Sequence, residues 1–253
     1  MSNLQLIVLL IPCTYLLLSL LEARVPSHIW PSYLNWRIGG VCFFLMLGAI
    51  NNVVAFLARQ MLSVSYGVDV TGLGVIGSAL LAFLLLSIGN AALHFAYHRV
   101  NFLWRYFHQL HHAPARLDVA GVMFQTPLEG LANALLFVLV TVFLLGMEPV
   151  AAMICAYLAA FYGMFQHCNI NTPRWLGYFI QRPEAHCVHH QRGVHAWNYS
   201  DLPIWDMLFG TFKNPKHFSG ELGFGLPTKL PIVSMLLGKI VADTRHDHAQ
   251  THE

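Results

Sequence analysis

Charge is scarce in this chain: only 10% of its 253 residues are Asp, Glu, Lys or Arg, while 56% are hydrophobic. A soluble domain carries about a quarter charged residues, so too little polar surface is left here to face water on all sides. A formal net charge of +2 gives no cationic field for nucleic acid. The five cysteines (Cys13, Cys42, Cys155, Cys168, Cys187) are odd in number and include no Cys-x-x-Cys pair, which argues against a disulfide framework and fits a reducing compartment. No His-Glu-x-x-His occurs, so a zincin-type protease is unsupported. Internal repeats and low-complexity tracts are absent too. Gly72-x-Gly74-x-x-Gly77 matches a dinucleotide fingerprint as a string, but it leads into an apolar segment without a βαβ unit and reads as small residues for helix packing.

Long apolar runs are present instead. Leu4 to Leu21, Ile38 to Leu57 and Gly74 to about Phe95 are each long enough to span a bilayer. Leu131 to Gly146 and Val150 to Gln166 form a shorter hairpin joined by Met147, Glu148 and Pro149. The first run lacks a basic start and a small-residue cleavage site, which predicts a retained span. The expected fold is all-α: an integral membrane bundle of four to five hydrophobic helices under a histidine-rich cytoplasmic cap. With the N-terminus outside, all of the 14 Lys and Arg except Arg59 fall inside, which places the active side on the cytoplasmic face. Trp175 to Ile180, between Arg174 and Arg182, suits a short interfacial helix or a packed helix of the cap.

Histidine is the anomaly. There are 15, more than the 12 acids, and ten lie from His94 to His195. They form His94-x-x-x-His98, His108-x-x-His111-His112, a lone His167, and His186-x-x-His189-His190. Residues four apart share a helix face, so each block can present imidazoles to one ion. A straight helix from His94 to His112 would spread them over about 27 Å, whereas paired metals lie about 3.5–4 Å apart. The chain must therefore turn near Arg99-Val100-Asn101. Nine imidazoles, with His195 a candidate tenth, suit two metals of high coordination number, which favours iron or another redox metal over four-coordinate zinc. His28, His217, His246, His248 and His252 read as ordinary histidines.

The sequences His94 to His112, His167-Cys168-Asn169-Ile170 and Pro183 to Phe212 resemble the fatty acid hydroxylase / sterol desaturase superfamily. Asn198-Tyr199 and Trp205-Asp206-x-Leu208-Phe209-Gly210-Thr211 strengthen the match. The resemblance implies three regions: N-terminal transmembrane helices over 1–86, a di-metal domain over 87–215 that includes the membrane hairpin at 131–166, and a C-terminal tail over 216–253. It also implies a membrane-bound, non-haem di-iron oxygenase that hydroxylates or desaturates a lipid with O₂ and two external electrons. The implied metal ligands are His94, His98, His108, His111, His112, His167, His186, His189 and His190. Two departures stand out: Ser87 occupies a position where many members carry an acid, and Thr126 one where many carry a histidine.

Glu129, Asn198, Asp201 and Asp206 are candidates to hold the second nitrogen of the ligating imidazoles. Phe102, Trp104, Phe107, Phe161 and Phe165 are candidates to line the path of an acyl chain from the bilayer. With no cytochrome or flavin motif in the chain, a separate donor is expected, cytochrome b5-like or ferredoxin-like. Three alternatives compete: a bis-histidine haem protein for electron transfer, a membrane metal transporter and a zinc hydrolase.

Overall fold

The computed structural model describes residues 3–61, 67–194, 196–226 and 229–241. His195, His246, His248 and His252 lie outside the described residues. Among those described there is no strand, only isolated bridges pairing Pro114 with Leu226 and Gln191 with Leu222.

Five long helices build the bundle, as the apolar runs require. They are α1 (Asn3–Arg24), α2 (Trp36–Met61), α3 (Gly74–Arg99), α6 (Pro127–Val138), which continues through a π-helical stretch to Leu144, and α7 (Pro149–His167). Among the described residues four segments are long and apolar enough to cross a membrane: Trp36–Ala58, Thr71–Arg99, Pro127–Leu144 and Pro149–His167. The hairpin expected to be short is therefore two segments of 18 and 19 residues. It turns at Gly146, whose φ of 51° suits a residue without a Cβ. α1 packs along α7, α7 along α3, and α2 along α6. Cys155 and Cys168 are buried in the apolar core as small hydrophobes, and all five cysteines are free.

Short elements form the cap: α4 (Asn101–Leu103), a π turn (Trp104–His108), α5 (Gln109–His112), a 3₁₀ turn (Arg174–Tyr178), α8 (Pro183–His189), α9 (Pro203–Phe209) and α10 (Ile232–Leu236). One edge of the cap reaches down beside the spans. Trp205 Nε1 donates to Ser87 Oγ at 2.7 Å, and Ser87 lies seven residues, about 10 Å of helix rise, back from His94 into α3. The adjoining surface exposes Trp175, Phe179, Leu208 and Phe209, which suits the interfacial reading of this stretch.

Candidate metal centre

The chain turns where convergence of the histidines requires it. α3 stops at Arg99, and Val100 adopts extended backbone (φ −105°, ψ 111°) before helix resumes at Asn101. The ring centroids of His98 and His108 are then 5.0 Å apart. The π turn over Trp104–His108 ends on the first histidine of the second block, His108 to His112, and such turns recur at functional sites.

Two groups of imidazoles result. His94, His98, His108, His112 and His189 make one, and His111, His167, His186 and His190 the other; the ligating atoms of each lie within 4.8 Å of one another. The groups abut, since His112 of the first stacks on His190 of the second at 4.1 Å and 13°. All nine ligands implied by the resemblance are thus brought together.

Hydrogen bonds fix the tautomers. His94 Nδ1 meets the Tyr199 carbonyl at 2.8 Å, His189 Nδ1 that of Trp197 at 2.7 Å, and His167 Nδ1 that of Gly163 at 2.8 Å. His108 Nδ1 meets Glu129 Oε1 at 2.8 Å. The three carbonyls can only accept, so Nδ1 of His94, His189 and His167 carries the proton and Nε2 presents its lone pair inward. These nitrogens face each other: His112 Nε2 lies 3.1 Å from both His108 Nε2 and His189 Nε2. His167 Nε2 lies 3.1 Å from His111 Nε2 and 3.2 Å from His186 Nε2. In each trio the central nitrogen has one proton or one lone pair to share between two neighbours, so the set is poorly met by hydrogen bonds alone. His94 Nε2 is buried with no partner at all. Such an arrangement calls for a cation in each group, and an all-nitrogen set suits iron, zinc, copper or nickel.

Burial pushes His111, His112, His186 and His190 well below the usual imidazole range, and neighbouring imidazoles push the same way. They are neutral at neutral pH, as ligation demands. A pH dependence follows for metal-stripped protein. Above about pH 6.5 neither the folded nor the unfolded chain protonates these rings; below it the unfolded chain takes up protons and the folded one does not. Stability is therefore expected to fall as pH drops through about 6.5, by about 1.4 kcal/mol per pH unit for each of the four rings. Melting temperatures from pH 8 to pH 5 check this, and a flat profile contradicts it.

The expected supports divide. Glu129 holds His108, and its own helix starts at a side-chain cap: Thr126 Oγ1 accepts from Glu129 N at 3.1 Å, with Pro127 in the first turn. Thr126, where a histidine is common, also donates to the carbonyls of Tyr106 and Phe107 at 2.9 and 3.1 Å. Asn198, Asp201 and Asp206 make their described hydrogen bonds elsewhere than to imidazoles. Asn198 ties the Ala185 carbonyl of α8 to the Lys213 backbone. Asp201 accepts from Asn90 of α3 and Gln166 of α7. Asp206 accepts from Tyr199 N, Ser200 N and Thr211 Oγ1, so it braces the backbone that presents the Tyr199 carbonyl to His94. Short polar side chains at turns satisfy nearby backbone first.

Main-chain carbonyls do the work foreseen for those side chains. Trp197 and Asn198 adopt positive φ, 69° and 49°, at the turn that aims the Trp197 carbonyl at His189. Two further supports escape sequence reasoning. Buried Glu22, at the end of α1, accepts from Val119 N at 3.0 Å and Asn169 N at 3.2 Å. It thus clamps the segments that follow His112 and His167, and the signal for it was a lone acid closing an apolar run. Arg182, at the start of α8, is fully buried.

Comparison with known proteins bears on this centre. Residues 79–211, which contain every clustered histidine, match the sequence model described as fatty acid hydroxylase. A very-long-chain aldehyde decarbonylase of Oryza sativa subsp. indica is 29% identical over 140 residues, covering 52% of this chain and 53% of that protein. Ornithine lipid hydroxylase of Rhizobium tropici is 32% identical over 117 residues, 45% of this chain and 35% of that one. A cholesterol 25-hydroxylase-like protein of Danio rerio is 28% identical over 191 residues, 70% of this chain and 73% of its own. The chain spans about half the length of the plant relatives it matches. No solved structure matches it.

Proposed function

Because the chain belongs to the fatty acid hydroxylase family, we propose that it is an integral-membrane, non-haem di-iron oxygenase that hydroxylates or desaturates a lipid taken from the bilayer. The observation that carries the reading is the pair of abutting imidazole groups, five and four strong, with lone pairs turned inward at the end of membrane-length helices. Each group would hold one ion through the nine histidines named above. The names of the ornithine lipid hydroxylase and the cholesterol 25-hydroxylase-like relative support a lipid substrate. The clustering of Lys and Arg supports a cytoplasmic active face.

When bound, two irons would supply the activation of O₂ that no side chain can perform. Hydroxylation consumes one O₂, two electrons and two protons and yields an alcohol and water; desaturation yields an alkene and two waters from the same inputs. The protein's part is positioning. Carbonyls of Tyr199, Trp197 and Gly163 keep three imidazoles in one tautomer and orientation, and Glu129 does so for His108 while raising its basicity. The rings of Tyr97, Trp104 and Tyr199 pack against the first group and keep bulk water from it.

Mass-spectrometric metal analysis of detergent-purified protein, with an optical spectrum of the same sample, tests the reading. About two irons per chain and no Soret band are expected. A Soret band would favour the haem protein. Zinc that persists after anaerobic iron reconstitution would favour a hydrolase or a structural metal. Turnover should also require a separate reductant, a cytochrome b5-like or ferredoxin-like protein; product formed with O₂ and lipid alone contradicts this.

A further inference from the structure

Below the imidazoles, α3 and α6 stand apart. α3 packs chiefly on α7 and α6 on α2, and at the seam between the two pairs small residues of α3, Gly89, Ala92 and Ala96, lie opposite leucines of α6 such as Leu136. The result is a groove of about 750 Å³ along the spanning segments, lined among others by Gly89, Ala92, Leu93, Ala96, Ala132 and Leu136. Its lining side chains are all apolar, and the volume falls in the range of small-molecule sites. A Cβ on Gly89 would sit 3.0 Å from Leu136 Cδ1, so the narrow floor depends on glycine there. None of the five aromatics expected to line a lipid path borders this groove.

Helical periodicity leads both walls to one polar end. Tyr97 lies four residues beyond Leu93 on α3, and Glu129 lies three before Ala132 and seven before Leu136 on α6. Both are almost fully buried, at 2% and 3% exposure. The Tyr97 hydroxyl and Glu129 Oε2 are buried without a hydrogen-bond partner. Within hydrocarbon no water supplies one, and a buried polar group left unmet is costly. Both adjoin the first imidazole group: Glu129 through its other oxygen on His108, and Tyr97 by stacking on the His108 ring at 5.2 Å.

We propose that this groove is the seat of one lipid chain, whose polar linkage meets Tyr97 and Glu129 beside the first imidazole group. A phenol offers a donor and a carboxylate oxygen an acceptor, so the pair recognises a group that both accepts and donates, such as a hydroxyl or a secondary amide. An ester offers only acceptors and leaves Glu129 unmet. To speak of this lipid as the substrate rests on the oxygenase reading; the seat itself does not.

The probe is a hexadecanoyl chain carrying a diazirine and ending in an N-methyl amide, compared with its methyl ester, photolysed with the full-length protein in vesicles. Labelling of α3 and α6 peptides that is saturable and competed by the unlabelled amide is expected, with the amide at least about 10-fold stronger than the ester, the discrimination a lost buried hydrogen bond supports. The lipid-facing surface of α2 is the internal control and should label without saturation. Tyr97→Phe should weaken labelling by both probes alike, Glu129→Gln should erase the preference for amide over ester, and Ala92→Phe, on an exposed position of the floor, should abolish saturable labelling. Equal, unsaturable labelling of α2, α3 and α6 overturns the seat and reduces it to ordinary boundary lipid. Iron measured on the same samples separates the readings: iron present without saturable labelling refutes only the groove, and saturable labelling without iron refutes only the oxygenase.

Discussion

Replacing His111 or His189 by alanine is expected to abolish turnover while the protein still inserts in the membrane. The two residues are chosen because they fall in different groups. His189 belongs to the set with His94, His98, His108 and His112, and His111 to the set with His167, His186 and His190. Removing a mere support of a ligating imidazole costs about 10–100-fold in metal affinity or activity, so removal of the imidazole itself should cost more than about 100-fold. Metal should fall from about two ions toward about one in each variant, because the untouched group keeps its donors.

That outcome separates a two-ion centre from nearby alternatives. If all nine imidazoles served one ion, either substitution would weaken the same metal and neither would leave a stable half-loaded protein. If the histidines were merely packed against one another, His189→Ala would strip the Trp197 carbonyl of its donor and leave a buried cavity, costing stability with no change in bound metal. His217→Ala, on an exposed ring outside both groups, is the matched control and should leave turnover and metal unchanged. Near-normal turnover or unaltered metal content in His111→Ala or His189→Ala would sink the assignment.

What could be read from the sequence was whatever is local and periodic. The i, i+3 and i, i+4 spacings of the histidine blocks are properties of a single helical turn, and the break at Val100 follows from them because a straight helix cannot converge its own ends. The apolar runs announced the spans for the same reason. Tertiary choices were not legible. Every residue owns a carbonyl, so nothing marks those of Gly163, Trp197 and Tyr199 as the ones that orient His167, His189 and His94. Asp206 has the right chemistry for an imidazole but is consumed by the backbone at Tyr199 and Ser200. Ser87, where an acid is common, takes the indole N–H of Trp205, 118 residues away in the chain. The groove between α3 and α6 comes from missing side-chain volume, and Gly89 and Ala132 look like any small residues of a spanning helix until their neighbours are known.

The second large effect is expected at Arg182, which no spacing argument singled out. Its guanidinium is fully buried, and all of its donors are satisfied: Nε by Thr172 Oγ1 at 2.9 Å, Nη1 by Asn214 Oδ1 at 2.7 Å and the Pro215 carbonyl at 2.9 Å, and Nη2 by the Thr172 carbonyl at 2.7 Å and Glu184 Oε1 at 2.9 Å. The Arg182 carbonyl in turn accepts from His186 N at 2.9 Å, so this node sets the first turn of α8 and with it one corner of the second imidazole group. A buried pair of this kind adds little over an apolar substitute, but breaking it strands the remaining charge. Arg182→Met should therefore destabilise the cap by about 3–5 kcal/mol, most of it the cost of leaving Glu184 charged and buried. Arg182→Lys should do little better, since an ammonium cannot reproduce the planar fork. The double variant Arg182→Met/Glu184→Gln separates causes, because it removes the stranded charge while keeping an amide oxygen for Thr172 N, which now meets Glu184 at 2.7 Å. It should recover a good part of the loss in a denaturant titration of detergent-solubilised protein, and second-group metal should return with it. A single variant that unfolds like the wild type, or a double variant no more stable than the single, would show that the fork is incidental and that α8 is held by its apolar packing alone.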